Sequence, residues 1–188
     1  MLHPLKHHIE RITPISDQEF EYILSHFTPK KFRKHQFLVQ EGNAVPNDFF
    51  VVSGLVKASF TNDEQKEHIL QFAMEDWWVC DYQAYFNQVN ATLNVDCLED
   101  TEVLCLSLVN REKLCADLHK IEHFFRRKSN FGYIALQQRI LSLMNNDAKE
   151  RYQQLLKQHP SLFQRVPKTL IASYLGVSRE TLSRLSAQ

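Results

Sequence analysis

The chain has no apolar run of the ~18 residues that a membrane-spanning helix requires. Its opening segment, MLHPLKHHIERI, has no apolar signal core, so the protein is expected in the cytoplasm and off the membrane. Four cysteines, Cys80, Cys97, Cys105 and Cys115, stand 17, 8 and 10 residues apart without a Cys-x-x-Cys pair. That spacing matches no zinc ligand set, and in a cytosolic chain it predicts reduced, buried thiols. Gly-rich phosphate loops, a Gly-x-Ser-x-Gly elbow and a Cys–His nucleophile arrangement are all missing. Between Glu41 and Asn110 the one histidine is His68, too few for the clustered ligands of a cupin-type metal enzyme. No metal, cofactor or catalytic residue is therefore assigned. Charge of one sign is also lacking: 22 Lys and Arg balance 22 Asp and Glu in 188 residues. A nucleic-acid binder usually carries a basic excess, so composition alone points away from that class.

The C-terminal stretch RVPKTLIASYLGVSRETLSRLSAQ reverses that inference. Its apolar positions Ile171, Leu175, Leu182 and Leu185 fit two short helices crossing steeply over one core. Ala172 permits close approach, Gly176 suits a positive-φ turn, and Val177 plugs that turn. Pro167 fits the start of the first helix and Ser178 the N-cap of the second. The second helix, read over 178–187, presents Arg179, Glu180, Thr181, Ser183 and Arg184, all able to bond base edges or phosphates. Locally the charge is basic, because Arg165, Lys168, Arg179 and Arg184 against Glu180 alone leave a net of +3. The pattern predicts a helix-turn-helix.

Ser178-Arg179-Glu180-Thr181 followed by Ser183-Arg184 resembles the recognition helix of the Crp/Fnr transcription regulators. The resemblance implies base contacts from Arg179, Glu180, Ser183 and Arg184. It implies phosphate contacts from Ser178 and Thr181; Lys168, a basic residue of the preceding helix, is expected as a further contact to the DNA backbone. Ser183 matches the anaerobic-regulator branch, whose members bind an iron–sulfur cluster through cysteines near the N-terminus. Here the first cysteine is Cys80, so that chemistry is not expected.

Upstream, residues 9 to 27 read as an amphipathic entry helix, with Ser16 or Asp17 as N-cap before Phe20, Ile23, Leu24 and Phe27. From about 29 to 108 short strands alternate with turns, among them Phe37–Gln40, Phe49–Val52, Leu55–Phe60, Glu67–Phe72 and Thr101–Leu108. Many short strands indicate a barrel or jelly roll. Glu41-Gly42, Phe50-Val51-Val52 and Gly54-Leu55-Val56-Lys57 resemble the cyclic-nucleotide-binding β-roll, the sensor module of the same family. Asp96, Glu99, Asp100 and Glu102 are expected as solvated charge around a turn.

The ligand cassette departs from the family. Cyclic-AMP-binding members offer a Gly-Glu pair and, about ten residues on, an Arg followed by Ser or Thr. Aligned on that pattern, Cys80 replaces the Gly, Asp81 the Glu and Ala91 the Arg, and only Thr92 is kept. No Arg or Lys between Lys66 and Arg111 substitutes for the phosphate-binding guanidinium, so cAMP is not expected to bind. Trp78, Asp81, Tyr82, Ala91 and Thr92 are the candidate pocket. The aromatic run Trp77, Trp78, Tyr82, Tyr85 and Phe86 fits either a helix packed on the core or a site for a planar apolar effector of unknown identity.

Beyond Val109 the pattern is helical. A short helix over Arg111–Leu118 precedes one from about His119 to Asn145, roughly 40 Å long. In the latter, Phe124, Phe131, Ile134 and Leu141 follow a/d spacing, while Leu136, Ile140 and Leu143 lie on another face. Two apolar faces ask for two partners, which the resemblance supplies as the β-roll and a second subunit; a monomer's core helix is the other reading. Arg126-Arg127-Lys128 reads as a solvated flank. The expected architecture is α+β, with a β-roll over 1–118, a dimerisation helix over 119–145 and a helix-turn-helix domain over 146–188. Expected partners are double-stranded DNA, a second copy of the chain and RNA polymerase. Alternatively, the β-roll binds a small molecule and the helix-turn-helix serves protein contacts.

Overall fold

The computed structural model describes residues 3–186. Pro4 opens the first helix, α1 (Pro4–Glu10), with the His3 ring accepting from the Leu5 amide. A second helix, α2 (Asp17–Leu24), starts from a capping box in which Ser16 and Glu19 bond each other's amides. The cap expected at Ser16 opens α2, while residues 9 and 10 close α1, so the helical stretch expected over 9 to 27 is interrupted between them. Pro14 lacks the N–H that would continue α1 and disfavours helical backbone at Thr13.

Eight strands follow: β1 (Thr28–Phe32), β2 (Phe37–Val39), β3 (Asn47–Ser53), β4 (Val56–Thr61), β5 (Glu67–Ala73), β6 (Trp78–Val79), β7 (Asn94–Cys97) and β8 (Thr101–Ser107). They form two four-stranded sheets, ordered β1-β8-β3-β6 and β2-β7-β4-β5. Antiparallel registers such as Phe50↔Leu104 and Lys57↔Asp96 hold them. The edge strand β1 is exposed and carries Pro29, Lys30 and Lys31, which oppose pairing with a further strand. Within the same sheet, β3 and β8 are buried on both faces, which explains their near-continuous apolar runs. Phe49, Val51, Val79 and Cys105 point into the roll, whereas Phe50, Trp78, Leu104 and Leu106 point out beneath helices. Those helices are α1, α2, α4 (Leu108–Asp117) and the start of α5 (His119–Asn145). A six-residue helix, α3 (Tyr82–Asn87), lies between β6 and β7. Gly54, at φ +103, turns β3 into β4. A Cβ there would sit 2.5 Å from Thr101 Oγ1 and 2.6 Å from the Asp100 carbonyl oxygen.

The acidic run is less solvated than expected. Asp96 lies inside β7, 9% exposed, with Lys57 Nζ at 2.9 Å from its Oδ1. The direct cross-strand pairing of Lys57 with Asp96 accounts for it. Asp100 accepts from the Lys34 amide, and Glu102 pairs with Lys31 across the β1–β8 register.

The chain divides into two compact units, residues 3–60 with 71–129, and 61–70 with 130–186. The division falls inside α5, and the far end of the β4–β5 hairpin belongs to the second unit. There Ser173 Oγ donates to the Glu67 carbonyl at 2.8 Å. Arg139 donates to the carbonyls of Ile69 and Tyr174 at 3.2 and 2.8 Å while lying 3.7 Å over the Tyr174 ring. The remaining helices are α6 (Ala148–Gln158), α7 (Leu162–Arg165), α8 (Lys168–Leu175) and α9 (Arg179–Leu185). Asp147 and Glu150 form a capping box at the start of α6. Leu155, Leu162, Ile171, Leu175 and Leu182 are the second unit's core.

Candidate functional site: nucleic-acid interface and sensor cassette

Two short helices and a three-residue turn build the candidate interface. Gly176 ends α8 in the left-handed region, φ 68 and ψ 35, where its amide reaches the Ser173 carbonyl and the Val177 amide that of Ala172. Ile171, Ala172, Leu175 and Leu182 are each 1–2% exposed, and Leu185 is half-buried. From α6, Arg151 Nε donates to the Leu175 carbonyl at 2.9 Å and its Nη1 to that of Asn146 at 2.7 Å, bracing the turn. Pro167 stands at the cap of α8, one position before the first turn. Ser178 caps α9 by accepting from the Thr181 amide at 3.1 Å. The helix expected over 178–187 runs to Leu185, and residue 187 lies outside the described residues.

The face away from that core is polar. Arg179, Glu180, Ser183 and Arg184 are exposed on α9, Lys168 is exposed at the start of α8, and Thr181 is half-buried. Arg184 Nη2 donates to Thr181 Oγ1 at 3.3 Å, and Ser178 Oγ lies 3.2 Å from the same oxygen. Glu180's carboxyl is held below its usual range by a backbone hydrogen bond and then by the Ser178 hydroxyl, which keeps it an acceptor.

The cassette residues separate into different environments. Trp78, 5% exposed, belongs to the outer core under the helices, not to the interior of the roll. Asp81 is 1% exposed, and its carboxylate accepts from the Ala84 amide at 3.1 Å and from Thr92 N and Oγ1 at 2.7 and 3.0 Å. Ala91 is 4% exposed, and its backbone bonds Gly42 and Asn43. Tyr82 is exposed along one side of its ring, which stacks on Phe86 at 6.1 Å, but its hydroxyl reaches inward to bond Asp48, and burial raises its pKa.

Two sets of residues escaped sequence reasoning. Lys128 is not solvated: its side chain is 17% exposed, with Nζ 3.5 Å from Asp48 Oδ2 and 4.0 Å over the Trp78 ring. The signal was its position four residues after Phe124 and three after Phe125, both buried, on the inward stripe of α5. Asp48 is fully buried and also pairs with Arg111 at 3.3 Å, whose guanidinium lies 4.0 Å over Phe125. Burial pushes Asp48's carboxyl up against the pull of both cations, and pushes Lys128 down to about 8. The second missed set surrounds His8, whose ring lies 5.2 Å from Phe50 and 5.6 Å from Phe124. On α5, Phe124 is 1% exposed inside the first unit. Phe131, Ile134 and Leu141 are 51%, 47% and 48% exposed on the second unit's part of that helix. No described helix is long and apolar enough to cross a membrane.

Residues 29–117 match the cyclic nucleotide-binding domain family. No curated protein matches the sequence. Among solved structures, the c-di-GMP-responsive global regulator CLP of Xanthomonas campestris superposes with a TM-score of 0.72 at 17% identity, over 92% of this chain and 90% of that one. FixK2 from Bradyrhizobium japonicum gives 0.71 at 18%, over 86% and 83%. The catabolite activator protein of Thermus thermophilus gives 0.58 at 19%, over 94% and 84%. At such identities the likeness is one of fold, and it spans both the β-roll and the helix-turn-helix. The chain thus matches the cyclic nucleotide-binding domain family over residues 29–117 and has the fold of these solved transcription regulators.

Proposed function

We propose that this protein is a homodimeric, sequence-specific DNA-binding transcription regulator that reads an inverted repeat through α9 and does not respond to cAMP. The carrying observation is the α8–Gly176–α9 geometry, in which every apolar anchor is turned inward and Arg179, Glu180, Ser183 and Arg184 outward. Arg179 and Arg184 each suit guanine O6 and N7, Glu180 can accept from a cytosine amino group, and Ser183 can bond either kind of edge. Lys168, Ser178 and Thr181 take phosphates, which fix register without reading sequence. Functionally the chain divides into a β-roll over 1–118, a pairing helix over 119–145 and a DNA-binding domain over 146–188. The exposed Phe131, Ile134 and Leu141 support pairing with a second copy. RNA polymerase is the further partner of such a regulator.

Two observations support independence from cAMP. Ala91 offers no guanidinium, and the Asp81 carboxylate is already satisfied by Ala84 and Thr92. A cyclic phosphate entering there would gain no charge-assisted contact and would meet a buried anion.

A two-fold dimer needs half-sites about one helical turn apart, roughly 34 Å. Selection from random duplexes, followed by anisotropy titration, tests the reading. Arg184→Ala is expected to cost about 1–3 kcal/mol and to relax preference at one base pair. Lys168→Ala should weaken all sequences alike and flatten the salt dependence. Recovery of no inverted repeat, or unchanged preference in Arg184→Ala, would refute it.

A further inference from the structure

We propose that the proton is an effector of the β-roll, acting through His8 as an acid-opened clasp between α1 and β6. The inference extends the regulatory reading above, although its structural half stands without it.

Hydrogen-bond chemistry fixes the protonation state of His8. Its Nε2 lies 3.2 Å from Trp78 Nε1. An indole N–H only donates, so Nε2 must present its lone pair. The ring proton is therefore on Nδ1, which donates to Asp76 Oδ1 at 2.7 Å. In this tautomer the imidazole is neutral and clamps α1 both to the turn before β6 and to β6 itself. A second proton would go to Nε2 and face the indole N–H, so protonation and the His8–Trp78 bond exclude each other.

The surroundings set how strongly the clasp resists acid. From the C-cap of α1, Arg11 pairs with Asp76, and its Nη2, a donor that gains no bond from the protonated Nδ1 2.7 Å away, opposes a further positive charge on the ring. From α5, Lys128 Nζ lies over the same Trp78 ring. From the turn before β6, Asp76 favours the imidazolium. Phe50 of β3, Phe124 of α5 and Trp78 complete the walls and carry no titratable group. Burial is the largest influence, and with Arg11 and Lys128 it outweighs Asp76, so His8 titrates below the ordinary imidazole value.

Opening reaches beyond one side chain. Leu5 and Ile9 of α1 are 0% and 1% exposed and share a core with Phe124. Loss of the His8 tie therefore loosens the packing of α1 on the first turns of α5, the helix that continues covalently into the second unit.

Trp78 fluorescence, isolated in a Trp77→Phe background, would be followed from about pH 7.5 to about pH 5. The expected result is a single transition below the ordinary imidazole range. It should be absent in His8→Phe and lie still lower in Asp76→Asn. A transition that survives His8→Phe, or that moves upward in Asp76→Asn, overturns the clasp. Should His8→Phe not fold, the His8 ring protons followed by NMR in the intact protein give the midpoint, and a value at or above that of a free imidazole overturns it. For the regulatory half, wild type and His8→Phe would be titrated with a duplex carrying the selected repeat. Equal affinity is expected at about pH 7.5, and a difference of about five-fold at about pH 5.5, the weight of one hydrogen bond. Equal affinity at both values overturns the proton as effector. Absence of DNA binding at every pH would refute the DNA reading instead, and the fluorescence titration would still decide the clasp.

Discussion

Two cations share one buried carboxylate beneath α5, and that stoichiometry makes Lys128→Met an informative substitution. Asp48 is 0% exposed and accepts from its neighbour's amide at 3.0 Å, with Arg111 and Lys128 at 3.3 and 3.5 Å from one oxygen. Arg111 alone neutralises it, so the ammonium of Lys128 is a surplus buried charge. Its fall from the ordinary 10.5 to about 8 corresponds to about 3 kcal/mol against keeping the proton at neutral pH. The contact with the Trp78 face returns about 1–2 kcal/mol. A methionine fills similar volume without a charge. Lys128→Met should therefore stabilise the first unit by about 1–2 kcal/mol at pH 7. Asp48→Asn should cost about 3–5 kcal/mol, because it strands both cations in an apolar box.

The pH dependence carries the sign. Lys128 binds its proton less tightly in the folded chain, so between about 8 and 10.5 the unfolded chain holds more protons and stability rises with pH. Methionine removes that rise. Urea unfolding followed by Trp77 and Trp78 fluorescence, both in the first unit, measures each quantity near pH 7 and again near pH 10. Destabilisation of Lys128→Met at an unchanged m-value, or an alkaline rise as steep as in wild type, would refute the surplus-charge reasoning.

Other predictions rest on single positions. Ile134→Glu places a carboxylate on the exposed apolar face of α5 and should convert a dimer to monomer in sedimentation at micromolar concentration; a wild type already monomeric would remove the pairing role of the helix. Calorimetric titration with cAMP should give no heat of binding at physiological ligand levels, and micromolar affinity would overturn the assignment of Ala91 to the phosphate-binding position. Gly54→Ala, with φ +103 and Thr101 atoms within 2.7 Å of the added Cβ, should cost about 3 kcal/mol or more in chemical denaturation. Gly132→Ala, in α5 with nothing within 4 Å, should instead stabilise by about 1 kcal/mol, as helix propensity dictates.

What was legible in the sequence follows from how local each determinant is. The helix-turn-helix depends on residues within a few positions of one another. Gly176 is needed for φ 68 and Ser178 for the cap, so punctuation and apolar spacing sufficed. The span of α5, His119–Asn145, was legible for the same reason. Strands β1, β6 and β7 went unnamed because their determinants are non-local. Thr28–Phe32 is an exposed edge of Lys and Pro, Trp78–Val79 is only two residues long, and Asn94–Cys97 carries Asp96, whose partner Lys57 is distant in sequence.

The candidate cassette shows the same limit at single-residue scale. An aromatic run signals burial but not which face of a strand each ring takes. In β6 the two-residue period sends Val79 into the roll and Trp78 outward, to His8 on one side and Lys128 on another. Those partners lie 70 residues before Trp78 and 50 after it, so no window of sequence pattern contains all three. Charge patterning misled for a related reason. Three consecutive cations at 126–128 span about 200° of the helix, so a run that reads as one solvated block can still turn one end toward what the helix covers. Here that one is Lys128, and the buried Asp48 is what makes its position tolerable. The proposed interface was readable because the contacts proposed for it require exposed polar residues on one local element. The proton-sensitive and charge-bearing sites of the β-roll required the fold, because each joins three elements that only topology brings together.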